Sequence, residues 1–152
     1  SYGYVFGCHA AEVSVDEETG KVDVLKLAVA HDVGQAIHPI NVEGQMADGS
    51  AMALGYALTE EILLEKGYSK TLTLEQYLMP TSVDVPEIKA IILETPSPDG
   101  PFGAKGVGEP PTNNTAPSIT NAIYNAVGVR LTELPATAER VAAALKAASR
   151  QS

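Results

Sequence analysis

The stretch from Gly100 to Thr115, Gly-Pro-Phe-Gly-Ala-Lys-Gly-Val-Gly-Glu-Pro-Pro-Thr-Asn-Asn-Thr, limits what the rest of the chain can build. Gly103, Gly106 and Gly108 admit positive φ and let another group come close to the backbone. Pro110 and Pro111 stiffen the chain beyond the loop, and Pro110 is expected to push Glu109 out of the helical region. One carboxylate therefore ends a mobile-looking loop with a rigid exit, and Lys105 is the only cation nearby. Such a loop suits holding a single carboxylate against a compact ligand. The plainer alternative is a surface turn whose glycines only reverse the chain, with Glu109 solvated. Spacing sets two phosphate readings aside. Lys105 is followed by Gly106 where a P-loop needs Ser or Thr, and Gly106-Val-Gly108 runs towards two prolines instead of opening a dinucleotide-binding helix.

The 152 residues suffice for one core and are few for two. A formal charge of −9 argues against nucleic acid or an anionic membrane as a partner. With no Trp and two Phe, the chain has no base-stacking platform. The single cysteine, Cys8, allows neither an internal disulfide nor a cysteine-ligated cluster made by this chain alone. No apolar run approaches a membrane span and no signal peptide opens the sequence, so the cytoplasm is the expected compartment. Ser1-Tyr-Gly-Tyr-Val-Phe-Gly7 resembles the middle of a strand, which suggests a piece of something longer.

Tyr4 to Asp16 alternates like a half-buried strand. Glu17-Glu18-Thr19-Gly20 turns it, and Val22 to Asp32 returns. Val22 and Val24 have the opposite parity to Leu25, Leu27 and Val29, which points to a bulge near Leu25. From Asn41, a candidate N-cap, to Leu58 the apolar spacing is helical, with Val42, Met46, Gly49, Ala53 and Tyr56 on one face. Seven Gly or Ala residues make that helix suited to close approach by a backbone or a ligand. Glu60 to Glu65 is a predicted strand turned by Lys66-Gly67, and Ile88 to Glu94 is a strong strand. Thr115 is expected to cap a helix running to Val127, with Pro117 in its first turn, Ile119, Ile123 and Val127 buried, and Gly128 as the stop. Val129 to Thr132 is a short strand or connector. Thr137 starts a last helix with Val141, Leu145 and Ala148 on one face. The sum is an α+β domain: a mixed or antiparallel sheet with a long N-terminal hairpin, covered by about three helices.

Cys8 and His9 are most simply packed inside a strand. His31 and Asp32, adjacent on a strand, point to opposite faces and cannot pair simply. His38, before Pro39, suits a turn. No serine or cysteine elbow supports a triad hydrolase.

Gly103-Ala-Lys-Gly-Val-Gly-Glu-Pro-Pro111 closely resembles the active-site loop of the molybdenum hydroxylases, the xanthine dehydrogenase and aldehyde oxidase family. The resemblance extends through Phe6 to Val13, Asp32-Val-Gly34, Asn41-Val-Glu-Gly-Gln45, Gly49 and Gly55, Tyr77 to Thr81, Thr115 to Tyr124 and Leu134 to Arg140. It implies that the chain is the C-terminal, molybdopterin-binding part of a large subunit, as a fragment or one part of a split subunit. It implies Glu109 as the base beside the molybdenum, and Gln45, Lys105, Gly106, Val107 and Gly108 as cofactor-binding residues, with no metal ligand on this chain. An amide at Gln45, in the first turn of its predicted helix, can donate to and accept from a heterocycle edge. The implied reaction hydroxylates an aldehyde or N-heteroaromatic carbon with oxygen from water, electrons leaving through iron–sulfur centres and FAD on partner domains or subunits. The isolated chain is expected to be inactive. Two other classes remain open: a scaffold or assembly module of a redox complex, and a hydrolase that would need a histidine within reach of Glu109.

Overall fold

The structure is a computed structural model that describes residues 3–150. Strands β1 (Gly7–Val15) and β2 (Val22–Asp32) form the long antiparallel hairpin. The carboxylate of Asp16 accepts the N–H groups of Glu18 and Thr19, both at 2.9 Å, and ties the turn. Glu12 pairs with Lys26 and Val13 with Val24, so Leu25 is the extra residue of a bulge. The parity change has a physical reason. Val24 and Leu27 must both face inward, and one surplus residue between them absorbs the difference.

Helix α1 spans Pro39–Leu58. It begins two residues before the expected start, and its N-cap is His38, whose Nδ1 accepts the Asn41 N–H at 3.3 Å. Pro39 fills N1, where its missing N–H costs nothing. Val42, Met46, Gly49 and Ala53 are buried as expected, but Tyr56 points outward.

The segment after α1 departs from expectation. The strand expected over Glu60 to Glu65 shrinks to β3 (Leu64–Glu65), paired with β4 (Tyr68–Ser69) around Lys66-Gly67. A one-turn helix α2 (Leu74–Tyr77) comes next. Alternation in this stretch has no neighbouring sheet to join, and Ile62, Leu64, Tyr68, Leu72 and Leu74 remain exposed.

Strand β5 (Glu87–Leu93) pairs parallel with β2, so the main sheet has the order β1-β2-β5 and is mixed. Helix α3 runs from Pro110 to Val127 and α4 from Ala138 to Ser149. Leu27 and Val29 of β2, Met46 and Ala57 of α1, and Ile119 and Ile123 of α3 meet in the core under one face of the sheet. On the other face Cys8, Ala10, Glu12, Lys26, Lys89, Ile91 and Leu93 are exposed. The link from Val129 to Thr132 carries no strand. Thr137 caps α4 by accepting the Arg140 N–H, but of the expected stripe only Val141 is fully buried. Among the described residues no helix is long and apolar enough to cross a membrane.

The start of α3 is the main correction. The helix begins five residues before Thr115, and Pro110 and Pro111 occupy its first two positions. Glu109 is not pushed out of the helical region: it is the N-cap, with φ −87° and ψ −36°. The Thr112 N–H and Oγ1 both donate to the Glu109 carbonyl, at 3.0 and 2.8 Å, and hold that conformation against the pre-proline preference. Thr115 lies buried inside the helix, and Pro117 sits mid-helix on its exposed side.

Helices α1 and α3 cross where Gly49 meets Pro111. A Cβ built on Gly49 would lie 2.9 Å from the Pro111 Cβ. Gly49→Val should therefore destabilise the domain by about 1–3 kcal/mol through overpacking against a rigid ring. Thermal unfolding against the wild type measures it.

Candidate active site

The loop beyond β5 is anchored rather than mobile. Gly34, just past β2, forms a bridge with Ala104. The Lys105 N–H donates to the Val33 carbonyl at 2.9 Å, and the Gly103 carbonyl accepts the N–H groups of Gln35 and Ser97 at 3.0 and 2.9 Å. The approach requires a glycine at 34, where φ is +70° and a Cβ would fall 2.2 Å from the Gly103 carbonyl oxygen. Of the three loop glycines only Gly103 adopts positive φ.

A buried ion pair locks this anchor. The Lys105 ammonium lies 2.6 Å from Asp32 Oδ2, with the two side chains 9% and 8% exposed. Asp32 Oδ1 accepts the N–H groups of Gly34 and Thr95, each at 3.0 Å. Burial alone would push Asp32 up. The Lys105 bond and the two backbone N–H groups outweigh it and hold the carboxyl below its usual range. The Lys105 ammonium is thus committed to Asp32, and its N–H to Val33.

Beyond Lys105 the backbone opens. The N–H groups of Gly106, Val107, Gly108 and Glu109 donate to no acceptor among the described residues. Nothing lies within 4 Å of a Cβ built on Gly106. A Cβ on Gly108 would sit 3.4 Å from Gln45 Oε1, so α1 brings Gln45 against this run of amides. Because α1 starts at Pro39, Gln45 is in its second turn, not its first, and its exposed amide has no partner among the described residues. The Glu109 side chain is also exposed, and it makes no capping bond to α3. A carboxylate at a helix N-terminus sits at the favourable end of the dipole.

No histidine is hydrogen-bonded to Glu109 among the described residues. His38 caps α1, and His9 and His31 turn inward to each other, with Nε2 atoms 2.7 Å apart. His31 and Asp32 lie on opposite faces of β2, as expected. Among the described residues no three His, Cys, Asp or Glu side chains group as a metal site. A cleft of about 620 Å³ opens elsewhere, lined by residues such as Val24, Leu58, Met79 and Ala136, and does not touch Gln45 or the loop. Sequence reading misses the Asp32–Lys105 pair, whose members are 73 residues apart, and the histidine pair. The one cation in the loop is the only available signal for the first.

Fold and site together define an α+β domain that offers one exposed carboxylate, four backbone donors without an acceptor among the described residues, and the Gln45 amide beside Gly108. Residues 1–86 match the family model of the molybdopterin cofactor-binding domain. The chain is 35% identical over 138 residues to a putative xanthine dehydrogenase molybdenum-binding subunit of Escherichia coli strain K12, covering 90% of this chain and 18% of that protein. It is 38% identical to an aldehyde oxidoreductase of Megalodesulfovibrio gigas, covering 95% of this chain and 16% of the relative. The crystal structure of quinoline 2-oxidoreductase from Pseudomonas putida 86 superimposes with a TM-score of 0.85 at 37% identity, over 91% of this chain and 18% of that one. This chain belongs to the molybdopterin cofactor-binding domain family of the xanthine dehydrogenase and aldehyde oxidoreductase type. It spans less than a fifth of the length of these relatives.

Proposed function

We propose that the chain is the part of a molybdenum hydroxylase that supplies the active-site base, Glu109. The observation that carries this reading is a carboxylate at the N-terminus of α3 and four backbone N–H groups, all unpaired among the described residues, with the Gln45 amide beside Gly108. These donors suit an anionic, heterocyclic cofactor. Buried amides without acceptors would be costly, whereas exposed ones in an anchored loop are ready to bind.

The molybdenum–molybdopterin group, shared with the rest of the subunit, supplies the two-electron oxidation. The substrate C–H is replaced by C–OH with oxygen from water, and two protons and two electrons are released. Glu109 accepts one proton at its carboxylate from the oxygen being delivered. The N–H groups from Gly106 to Glu109 would hold an anionic group of the cofactor, and Gln45 would offer its amide to the pterin as both donor and acceptor. Lys105 serves the cofactor by holding the loop through Asp32. Iron–sulfur centres and FAD on partner domains or subunits would supply the path by which the electrons leave. The substrate class is an aldehyde or an N-heteroaromatic ring. Cys8 is exposed and free, which suits a reducing compartment, and the cytoplasm is the proposed one.

The test is turnover in ¹⁸O-labelled water, using the complete enzyme purified through a tag on this chain. Labelled carboxylate or ring carbonyl, with molybdenum and iron in the preparation, supports the reading. A complex without molybdenum refutes it and leaves the scaffold alternative.

A further inference from the structure

A second buried polar cluster lies behind the site. His9 and His31 occupy neighbouring strands, where Gly7 pairs with His31 and His9 with Val29. The two rings are therefore diagonal neighbours on the face that α3 covers. They meet edge to face at 84°, with centroids 4.9 Å apart. His9 Nδ1 lies 2.9 Å from Thr115 Oγ1, and Thr115 Oγ1 lies 3.2 Å from the Pro111 carbonyl. His31 is 1% exposed and Thr115 is 0% exposed, and His31 Nδ1 has no hydrogen-bond partner among the described residues.

Both rings are held neutral. Burial, followed by the repulsion of His31, lowers His9 to about 4, and burial lowers His31. Each ring then carries one N–H, and two proton arrangements are open. If Thr115 donated to His9, the chain would run outward and leave a buried N–H on His31 Nδ1 unpaired. If Thr115 donates to the Pro111 carbonyl, it accepts from His9 Nδ1. His9 Nε2 then accepts the Nε2–H of His31, every donor is used, and only a lone pair on His31 Nδ1 goes unmatched. Orphaned buried N–H groups are the rarer and costlier defect. The chain therefore runs one way: His31 to His9 to Thr115 to Pro111.

We propose that this directed relay makes His9, His31 and Thr115 positioning residues for Glu109. It ends in the first turn of α3, two residues past Glu109. Pro111 is wedged on its other side against Gly49, and Thr112 bonds the Glu109 carbonyl twice. The relay couples the hairpin to the turn that aims the carboxylate, while the Asp32–Lys105 pair fixes the loop before it. Gly7 belongs to the device. A Cβ there would fall 2.4 Å from His31 Cε1, 2.6 Å from its Nδ1 and 2.8 Å from Asn114 Nδ2, so glycine leaves room for the ring and for the α3 amide beside it.

The inference rests on the base role proposed for Glu109. Its test therefore pairs turnover with hydrogen exchange of the 106–118 segment in the complete enzyme. Thr115→Val keeps the shape and removes both bonds, Thr115→Ser keeps the hydroxyl, and Gly7→Ala displaces His31 while leaving all three side chains intact. Thr115→Val and Gly7→Ala should each lower kcat about tenfold with KM near unchanged, and speed exchange in the segment about tenfold. Thr115→Ser should stay near wild type on both. Unchanged exchange and kcat in Thr115→Val overturn the relay, as does an equal loss in the Ser variant. If Thr115→Val fails to assemble, Gly7→Ala decides by the same two readouts. Full turnover of a Glu109→Gln enzyme would instead sink the base role, and exchange would still report whether the relay holds α3.

Discussion

On the base role proposed for Glu109, Glu109→Gln should leave the assembled enzyme folded and loaded with molybdenum but lower kcat by about 10²–10⁴-fold, the range expected when a general base is removed. The amide matches the carboxylate in size and cannot take a proton. Stability should hardly move. The Glu109 side chain makes no capping bond, is exposed, and has no ionic partner among the described residues, so its loss falls in the range of about 0.5 kcal/mol typical of surface changes. The carbonyl that does hold α3 through Thr112 belongs to the backbone and survives the substitution. Metal content and the thermal midpoint serve as controls, and kcat is the readout. Near-normal turnover with normal molybdenum would remove Glu109 from the base role.

The hairpin and its bulge are legible in the sequence because alternation is a local signal and a parity change has one cheap solution. Both long helices start earlier than their apolar spacing indicates, for one shared reason. Pro39 and the pair Pro110-Pro111 look like breakers, whereas each opens a helix, where a missing N–H is harmless. The difference matters for function. Prolines as breakers put Glu109 in a rigid non-helical exit, and prolines as openers make it the cap of α3. The strand expected from Glu60 to Glu65 shows the opposite limit: alternation is present, but pairing needs a neighbour that local pattern cannot supply. Only resemblance points to Gln45 as a neighbour of the loop, since the 63 residues from Gln45 to Gly108 carry no spacing signal. From sequence alone His9, Cys8 and His31 are packing residues. The two histidines do pack, but the direction of the bonds between His31, His9 and Thr115 depends on contacts that only the folded chain makes.

Lys105→Met should be the most damaging substitution for stability, at about 3–5 kcal/mol, because it strands a buried carboxylate. Asp32 is 8% exposed and would retain only the N–H groups of Gly34 and Thr95. Asp32→Asn combined with Lys105→Met should recover most of the loss, since the Asn carbonyl can still accept both N–H groups and no charge remains buried. Exchange of the backbone amide of residue 105, which donates to Val33, reports the opening of this anchor in the wild type and in both variants. The same bonds set the sign with pH. Burial pushes Asp32 up, and Lys105 with the two N–H groups brings it below the usual value. Its stabilising contribution is therefore present above the ordinary carboxylate range and is lost as pH falls through the lowered value. In Lys105→Met the lowering by Lys105 is lost and burial weighs more on Asp32, so protonation relieves the stranded charge: the loss of stability should be largest above the carboxylate range and shrink as pH falls. In the double variant, with no carboxylate at position 32, that pH dependence should disappear. If the single and double variants lose equal stability, the pair contributes no coupling, and the loop that carries Glu109 is held by its backbone bonds alone.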